Sequence, residues 1–182
     1  MSLRGAAVPP VAAETLAEDL HHRLGENVVV MGIGNPDRAD DGAGLRVAEL
    51  LAEALPCGGP PGGRRLTVVL AGNVPESFLG PAAAARPDTV LLVDAADMGA
   101  APGSVALLEP EDVPGGATFT HRTPLGLLAT FLSRETGADV FLLAIQPRSL
   151  EWGDPMSSEV EAVARHLSRI LAAALHRETA AC

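Results

Sequence analysis

The chain has 182 residues, a formal net charge of −10 and a composition that is 47% hydrophobic, enough for one domain with a real core and too apolar for a disordered tail. All 13 basic residues are arginines, and the acidic balance excludes nucleic acid and anionic membrane surfaces as partners. No apolar run approaches the roughly 18 residues of a membrane span, so no membrane insertion is expected; the two cysteines form no C-x-x-C pair, and the N-terminus lacks a continuous signal-type apolar core, so the expected compartment is the cytoplasm.

Residues 1–12 are Ala/Pro-rich and lack an apolar pattern, so they are expected to be mobile. Residues 13–24 suit a short amphipathic helix ended by Gly25, an N-terminal extension spanning 13–26 that carries no motif. "NVVVMGI" (27–33) has the β-branched, non-alternating pattern of a strand buried on both faces. A helix is expected from about Asp41 to Ala54, and "PCGGPPGGRR" (56–65) reads as a flexible loop. Residues 66–71 give a second strand and residues 75–85 a short helix interrupted or ended near Pro81. "TVLLVDA" (89–95) is a third strand and residues 103–109 a fourth, whose short connection suggests an antiparallel edge. After the loop 111–123 come a helix from about Pro124 to Thr136, a fifth strand (138–147) and a last helix from about Pro155 to His176. Strands alternating with helices specify a single α/β domain, 1–182, with a mostly parallel five-stranded sheet covered on both faces. In such sheets ligands sit at the carboxyl ends of the strands.

Three polar clusters fall at that end: the loop "GIGNPDRADDGAG" (32–44), Asp94 and the His121 loop. The first begins like a dinucleotide fingerprint, with Gly32 and Gly34, but places Asp37 where the third glycine belongs. Asp40 and Asp41 at the following helix start would repel a pyrophosphate. A chain without lysine also has no Walker A loop and no Schiff-base chemistry, and no tightly bound organic cofactor is expected. There is no G-x-S-x-G elbow and no H-E-x-x-H helix. A helix start loaded with aspartates suits a cation held from outside. One of the pair is assigned to capping, with Asn35 and the glycines making a turn; two exceed what a cap needs. Asp94 ends an apolar run, where a charge is costly unless paired. His121 is the one histidine in a loop at this end; a lone histidine there more often caps a helix or faces water. Asp41, Asp94 and His121 together would supply two carboxylates and one imidazole for a borderline divalent metal.

These motifs resemble those of the hydrogenase maturation proteases, which trim the C-terminus of nickel-iron hydrogenase large subunits. "GIGNPDRADDGAG" matches the family's G-x-G-N-x-x-x-x-D-[DE]-G-x-G pattern, followed in order by "GNVPES" (72–77), "LLVDAADMGAAPGSV" (91–105), "THRTPL" (120–125) and "FLLAIQP" (141–147). "VDAADMG", "IQP" and "DPM" (154–156) look most like the subgroup serving hydrogenase 3 and related formate-hydrogenlyase enzymes. The resemblance implies an α/β/α sandwich, metal contacts and catalysis at Asp41, Asp94 and His121, and a large-subunit precursor as the partner. It further implies that nickel is supplied by that substrate, either to polarise the scissile carbonyl or to activate a water; the sequence leaves both open. Gly32, Gly34, Asn35, Asp40, Gly72 and Asn73 are expected to form the loop that the substrate approaches. Leu70 stands where many members carry an aspartate, which leaves Asn73 as the polar contact there. The alternative to an endopeptidase is a non-catalytic nickel-sensing chaperone of the same fold; a nucleotide-binding regulator is the third reading.

Overall fold

The computed structural model describes residues 13–110 and 125–176. The strands are β1 (Asn27–Ile33), β2 (Arg65–Gly72), β3 (Thr89–Ala95), β4 (Val105–Leu108) and β5 (Asp139–Ile145). They form one sheet in the order β2-β1-β3-β5-β4. All pairings are parallel except β4 against β5, so the short connection after β3 does produce an antiparallel edge. Every residue of β3 is buried, and β1 is buried from Val28 onward, as strands covered on both faces must be.

The helices are α1 (Ala13–Arg23), α2 (Ala43–Ala54), α3 (Leu79–Ala84), α4 (Leu125–Thr136) and α5 (Ser158–Leu175). Side chains from α1, α2 and α5 pack on one sheet face with Val28, Val30, Leu91, Val93, Phe141 and Leu143. Alternate residues of the same strands, among them Val29, Met31, Leu92 and Leu142, pack with α3 and α4 on the other. The period of two thus divides each central strand between two cores and makes a three-layer sandwich.

Several boundaries differ from the sequence expectations for identifiable reasons. Residues Ala39–Gly42 form a 3-10 turn ahead of α2, because Asp40 and Asp41 are pulled into separate contacts rather than into one helical register. Pro81 does not end a helix. It lies in the first turn of α3, after a 3-10 turn over Pro75–Phe78, where its missing N–H has no partner to lose. The last helix starts at Ser158 rather than Pro155, because residues 148–157 are bonded to the 3-10 turn instead.

The loop over 56–65 is tied down rather than free. Gly58 accepts from the Leu66 amide at 3.1 Å and Gly59 donates to Pro56 at 2.9 Å. Arg64 donates to the carbonyls of His21, Leu24 and Ala174, capping the ends of α1 and α5, whose last carbonyls lack helical donors. The N-terminal extension is likewise integral. Leu16, Leu20 and Leu24 are buried, and Arg23 bonds Glu109 and Asp139 with its guanidinium 3.9 Å from the centre of the Phe141 ring. Burial opposes the Arg23 charge, but the bonds to the two carboxylates outweigh it and raise its pKa above the ordinary value.

Helix α1 therefore belongs to the core while residues 1–12 carry no apolar pattern. Leu20→Ala is expected to destabilise the protein by roughly 2–5 kcal/mol, whereas deletion of residues 1–12 leaves the thermal midpoint within a few degrees. Paired urea or thermal melts of the two variants check the contrast.

Candidate functional site

The site grows from the carboxyl ends of β1, β2 and β3. Gly34 follows β1 with φ +136°, and its amide donates to Gly72 at the end of β2 at 2.9 Å. A Cβ on Gly34 would lie 1.9 Å from the Asp41 carbonyl oxygen, and one on Gly32 would lie 2.4 Å from Ala48 Cβ. One on Gly44 would lie 2.0 Å from the Val93 carbonyl. These glycines serve close approach, but the approaching groups are the chain's own. The space on the side where a Cβ would stand is filled by the 3-10 turn and α2. Gly72, with φ +56°, meets nothing closer than 3.8 Å and remains open, with exposed Asn73 beside it. Asn35 shapes the loop internally, its Oδ1 accepting from the Asp37 amide at 3.0 Å.

The adjacent aspartates have different environments. Asp40 is 0% exposed. Its carboxylate accepts from the amides of Arg148 (2.8 Å), Ser149 (3.2 Å) and Ser157 (2.6 Å) and from the Ser157 hydroxyl (3.0 Å). Asp40 is an internal staple whose side-chain hydrogen bonds, among the described residues, all come from residues 148–157. Backbone bonds reinforce it: the Ala39 amide to Asp154 at 3.2 Å, the Asp40 amide to Ser149 at 3.1 Å and the Gly153 amide to Asp37 at 2.8 Å. Ala39 is held at φ +46°, a left-handed conformation costing about 1–2 kcal/mol outside glycine. Its bond to Asp154 and its buried methyl keep it there.

Asp41 is 1% exposed. Its Oδ2 accepts from the Asn35 amide at 3.2 Å, while Oδ1 is buried with no hydrogen-bond partner among the described residues. A buried carboxylate oxygen in that condition is costly. It suits a donor or cation that arrives from outside the chain. Asp94, also 1% exposed, stands at the end of β3 with Oδ1 accepting from the Ala95 amide at 2.8 Å. The 3-10 turn carrying Asp41 packs against β3, the strand that carries Asp94. His121 lies outside the described residues. No three His, Cys, Asp or Glu side chains converge among the described residues, so a coordination shell on Asp41 and Asp94 needs further donors.

Sequence reasoning missed Ser157, Arg38 and Trp152. Ser157 precedes the last helix as a capping serine would, but its hydroxyl serves Asp40. Arg38 and Trp152 meet across the loop, with the guanidinium carbon 5.3 Å from the indole ring; no spacing rule links residues so far apart. Gln146, within the "IQP" motif, accepts from Met98 and Ala100 amides and donates to Asp97, so it fixes the loop after Asp94. A cleft of about 1060 Å³ between α1 and α5, lined by His21, His22, His166 and His176, lies by the amino end of β2 beside Arg64, away from both carboxylates.

The sequence model of the hydrogenase maturation protease family matches residues 45–174. The hydrogenase 3 maturation protease of Escherichia coli K12 is 34% identical over 134 residues, covering 73% of this chain and 81% of that protein. The crystal structure of a [NiFe] hydrogenase maturation protease from Thermococcus kodakarensis superposes with a TM-score of 0.77 at 32% identity, covering 86% of this chain and 98% of that one. A crystal structure of the hydrogenase 3 maturation protease gives 0.67 at 31% identity, covering 79% and 87%.

The contrast between neighbouring aspartates is measurable. Asp40→Ala strands three amides and a hydroxyl and is expected to cost roughly 3 kcal/mol or more. Asp41→Asn loses one long hydrogen bond and relieves a buried charge, so it should leave stability within about 1 kcal/mol of wild type or raise it. Urea denaturation of both variants tests this; equal losses would show that Asp41 is also a structural residue.

Proposed function

The chain belongs to the hydrogenase maturation protease family, and we propose that it is the endopeptidase that removes the C-terminal extension of a nickel-loaded [NiFe]-hydrogenase large-subunit precursor. The observation that carries this reading is Asp41 Oδ1, a buried carboxylate oxygen without a partner among the described residues, on a turn packed against the strand that carries Asp94. An acceptor fixed there and left open suits a cation that comes and goes with the substrate.

In this reading nickel is part of the substrate. Asp41 and Asp94 contact it, and His121 is the third contact, as a neutral imidazole. The chain's own contribution is orientation. The Asn35 amide holds Oδ2 of Asp41 and leaves Oδ1 to receive the metal or a proton from the attacking water. Gly72 and Asn73 leave room for the precursor peptide. Oxygen and nitrogen donors at two or three positions do not select nickel by affinity, because the divalent order favours other ions as strongly; selection rests on the geometry in which the precursor presents its metal. No described helix is long and apolar enough to cross a membrane. We place the reaction in the cytoplasm, a reading supported by two cysteines without a C-x-x-C pair.

Enzyme purified without added metal should process nickel-loaded precursor and leave nickel-free and zinc-loaded precursor intact, read by the mobility shift of the large subunit on a gel. Equal cutting of nickel-free and nickel-loaded precursor would overturn the substrate-borne metal. Asp41→Asn, Asp94→Asn and His121→Ala should each lower processing by about 100-fold or more while keeping the wild-type circular dichroism spectrum. Processing by wild type should also decline as pH falls through about 6.5, where an unperturbed imidazole gains its proton; a flat profile between pH 5.5 and 7.5 would remove His121 from the contact set.

A further inference from the structure

Trp152 is the only tryptophan in the chain, and at 68% exposed it is the most exposed large hydrophobic side chain among the described residues. It stands in a segment that is otherwise strongly restrained. On one side the Gly153 amide donates to Asp37, and Asp154 accepts from Ala39. On the other, the Arg148 and Ser149 amides are held by the buried Asp40 carboxylate. Arg38 lies under the indole at 5.3 Å and also donates to the Leu150 carbonyl at 3.3 Å. Its Nε is buried with no hydrogen-bond partner among the described residues, so the guanidinium is held in place by the stack and by one weak bond.

A cation–π contact and a backbone hydrogen bond link this indole to the turn that carries Asp41. Arg38 contacts Trp152, and the Arg38 carbonyl accepts from the Asp41 amide at 2.9 Å. The indole therefore belongs to a segment bonded directly to residues 37 and 39 of the loop that leads into Asp41, on a backbone fixed at both ends. An exposed tryptophan contributes little to folding. A rigid one loses little entropy when a partner covers it, which is why tryptophan and arginine dominate the binding energy of protein interfaces. The stacked cation adds to this, since desolvating a cation–π pair strengthens it.

We infer that Trp152, supported from beneath by Arg38, is the docking anchor for the precursor polypeptide, covered by an apolar side chain of the substrate while the scissile bond is presented to Asp41 and Asp94. It binds and takes no part in bond breaking. This rests on the proposed proteolysis of a large-subunit precursor, and it assigns the recognition of the polypeptide to a position separate from the recognition of its metal.

The test uses the full chain and the hydrogenase large-subunit precursors of the source organism. Trp152→Ala should raise KM by roughly 10-fold or more, with kcat within about twofold and the thermal midpoint unchanged; Trp152→Phe, which keeps an aromatic face, should recover most of the loss. A KM unchanged in Trp152→Ala overturns the anchor, as does a loss confined to kcat. A second measurement covers the case in which Trp152→Ala is unstable. Wild-type enzyme grown with 5-fluorotryptophan carries one fluorine, at Trp152, and its fluorine resonance should shift or broaden on addition of unlabelled precursor. A resonance unmoved at saturating precursor overturns the docking role. The resonance reports docking whether or not the peptide bond is cut. Shifting without any cutting by wild type would therefore count against the proposed activity and for the anchor, and cutting with an unmoved resonance would do the reverse.

Discussion

The Asp40 carboxylate is the interaction on which the site depends. It is fully buried, yet it has no ion-pair partner among the described residues; its charge is stabilised by three amides and one hydroxyl. Hydrogen bonds to a charged acceptor are stronger than neutral ones, and Ser157 places one of the donors at the start of α5, where the helix field also favours an anion. Removing those donors would leave a charge in the core at a cost of several kcal/mol. The carboxylate therefore commits residues 148–157 to lie across the 3-10 turn. That single commitment starts α5 at Ser158, holds Ala39 in a left-handed conformation and brings Trp152 against Arg38.

The second constraint is steric. β1 and α2 approach so closely that any side chain at Gly32 or Gly44 would collide with Ala48 or with the Val93 carbonyl. This contact presses the start of α2 against the end of β3. As a result the turn that carries Asp41 packs against the strand that carries Asp94, although the two are remote in sequence. The glycines that resemble a phosphate cradle are spent on this internal approach, and the 3-10 turn occupies the volume a pyrophosphate would need. An acidic version of that loop is thus a consistent design rather than a contradiction. One aspartate closes the loop from within, and the next keeps a buried oxygen without a hydrogen-bond partner among the described residues.

Much of this was legible in the sequence. The five strands and their order along the chain follow from short β-branched runs separated by amphipathic stretches, and the antiparallel edge follows from a connection too short for a crossover. Asp41 and Asp94 stood out in the same way, from a loop carrying more aspartates than a cap requires and from a charge at the end of an apolar strand, and both are buried. α1 was legible as a helix through its amphipathic spacing. Its membership in the core was not, because Leu16 and Leu20 need α5 and the sheet opposite them before they are buried.

The sequence by itself determined the elements and the family, because period, turn residues and local motifs are properties of neighbouring positions along the chain. Only the tertiary structure decided which of two adjacent aspartates is a staple and which keeps a buried oxygen without a partner among the described residues. Asp40 and Asp41 are chemically identical and consecutive; they differ in what lies across the loop. The partners of Asp40 are 108 to 117 positions away, and no local pattern encodes a contact made by folding the chain back on itself. The same holds for Arg38 under Trp152 and for the glycines at the β1–α2 contact, whose purpose depends on which backbone fills the space beside them.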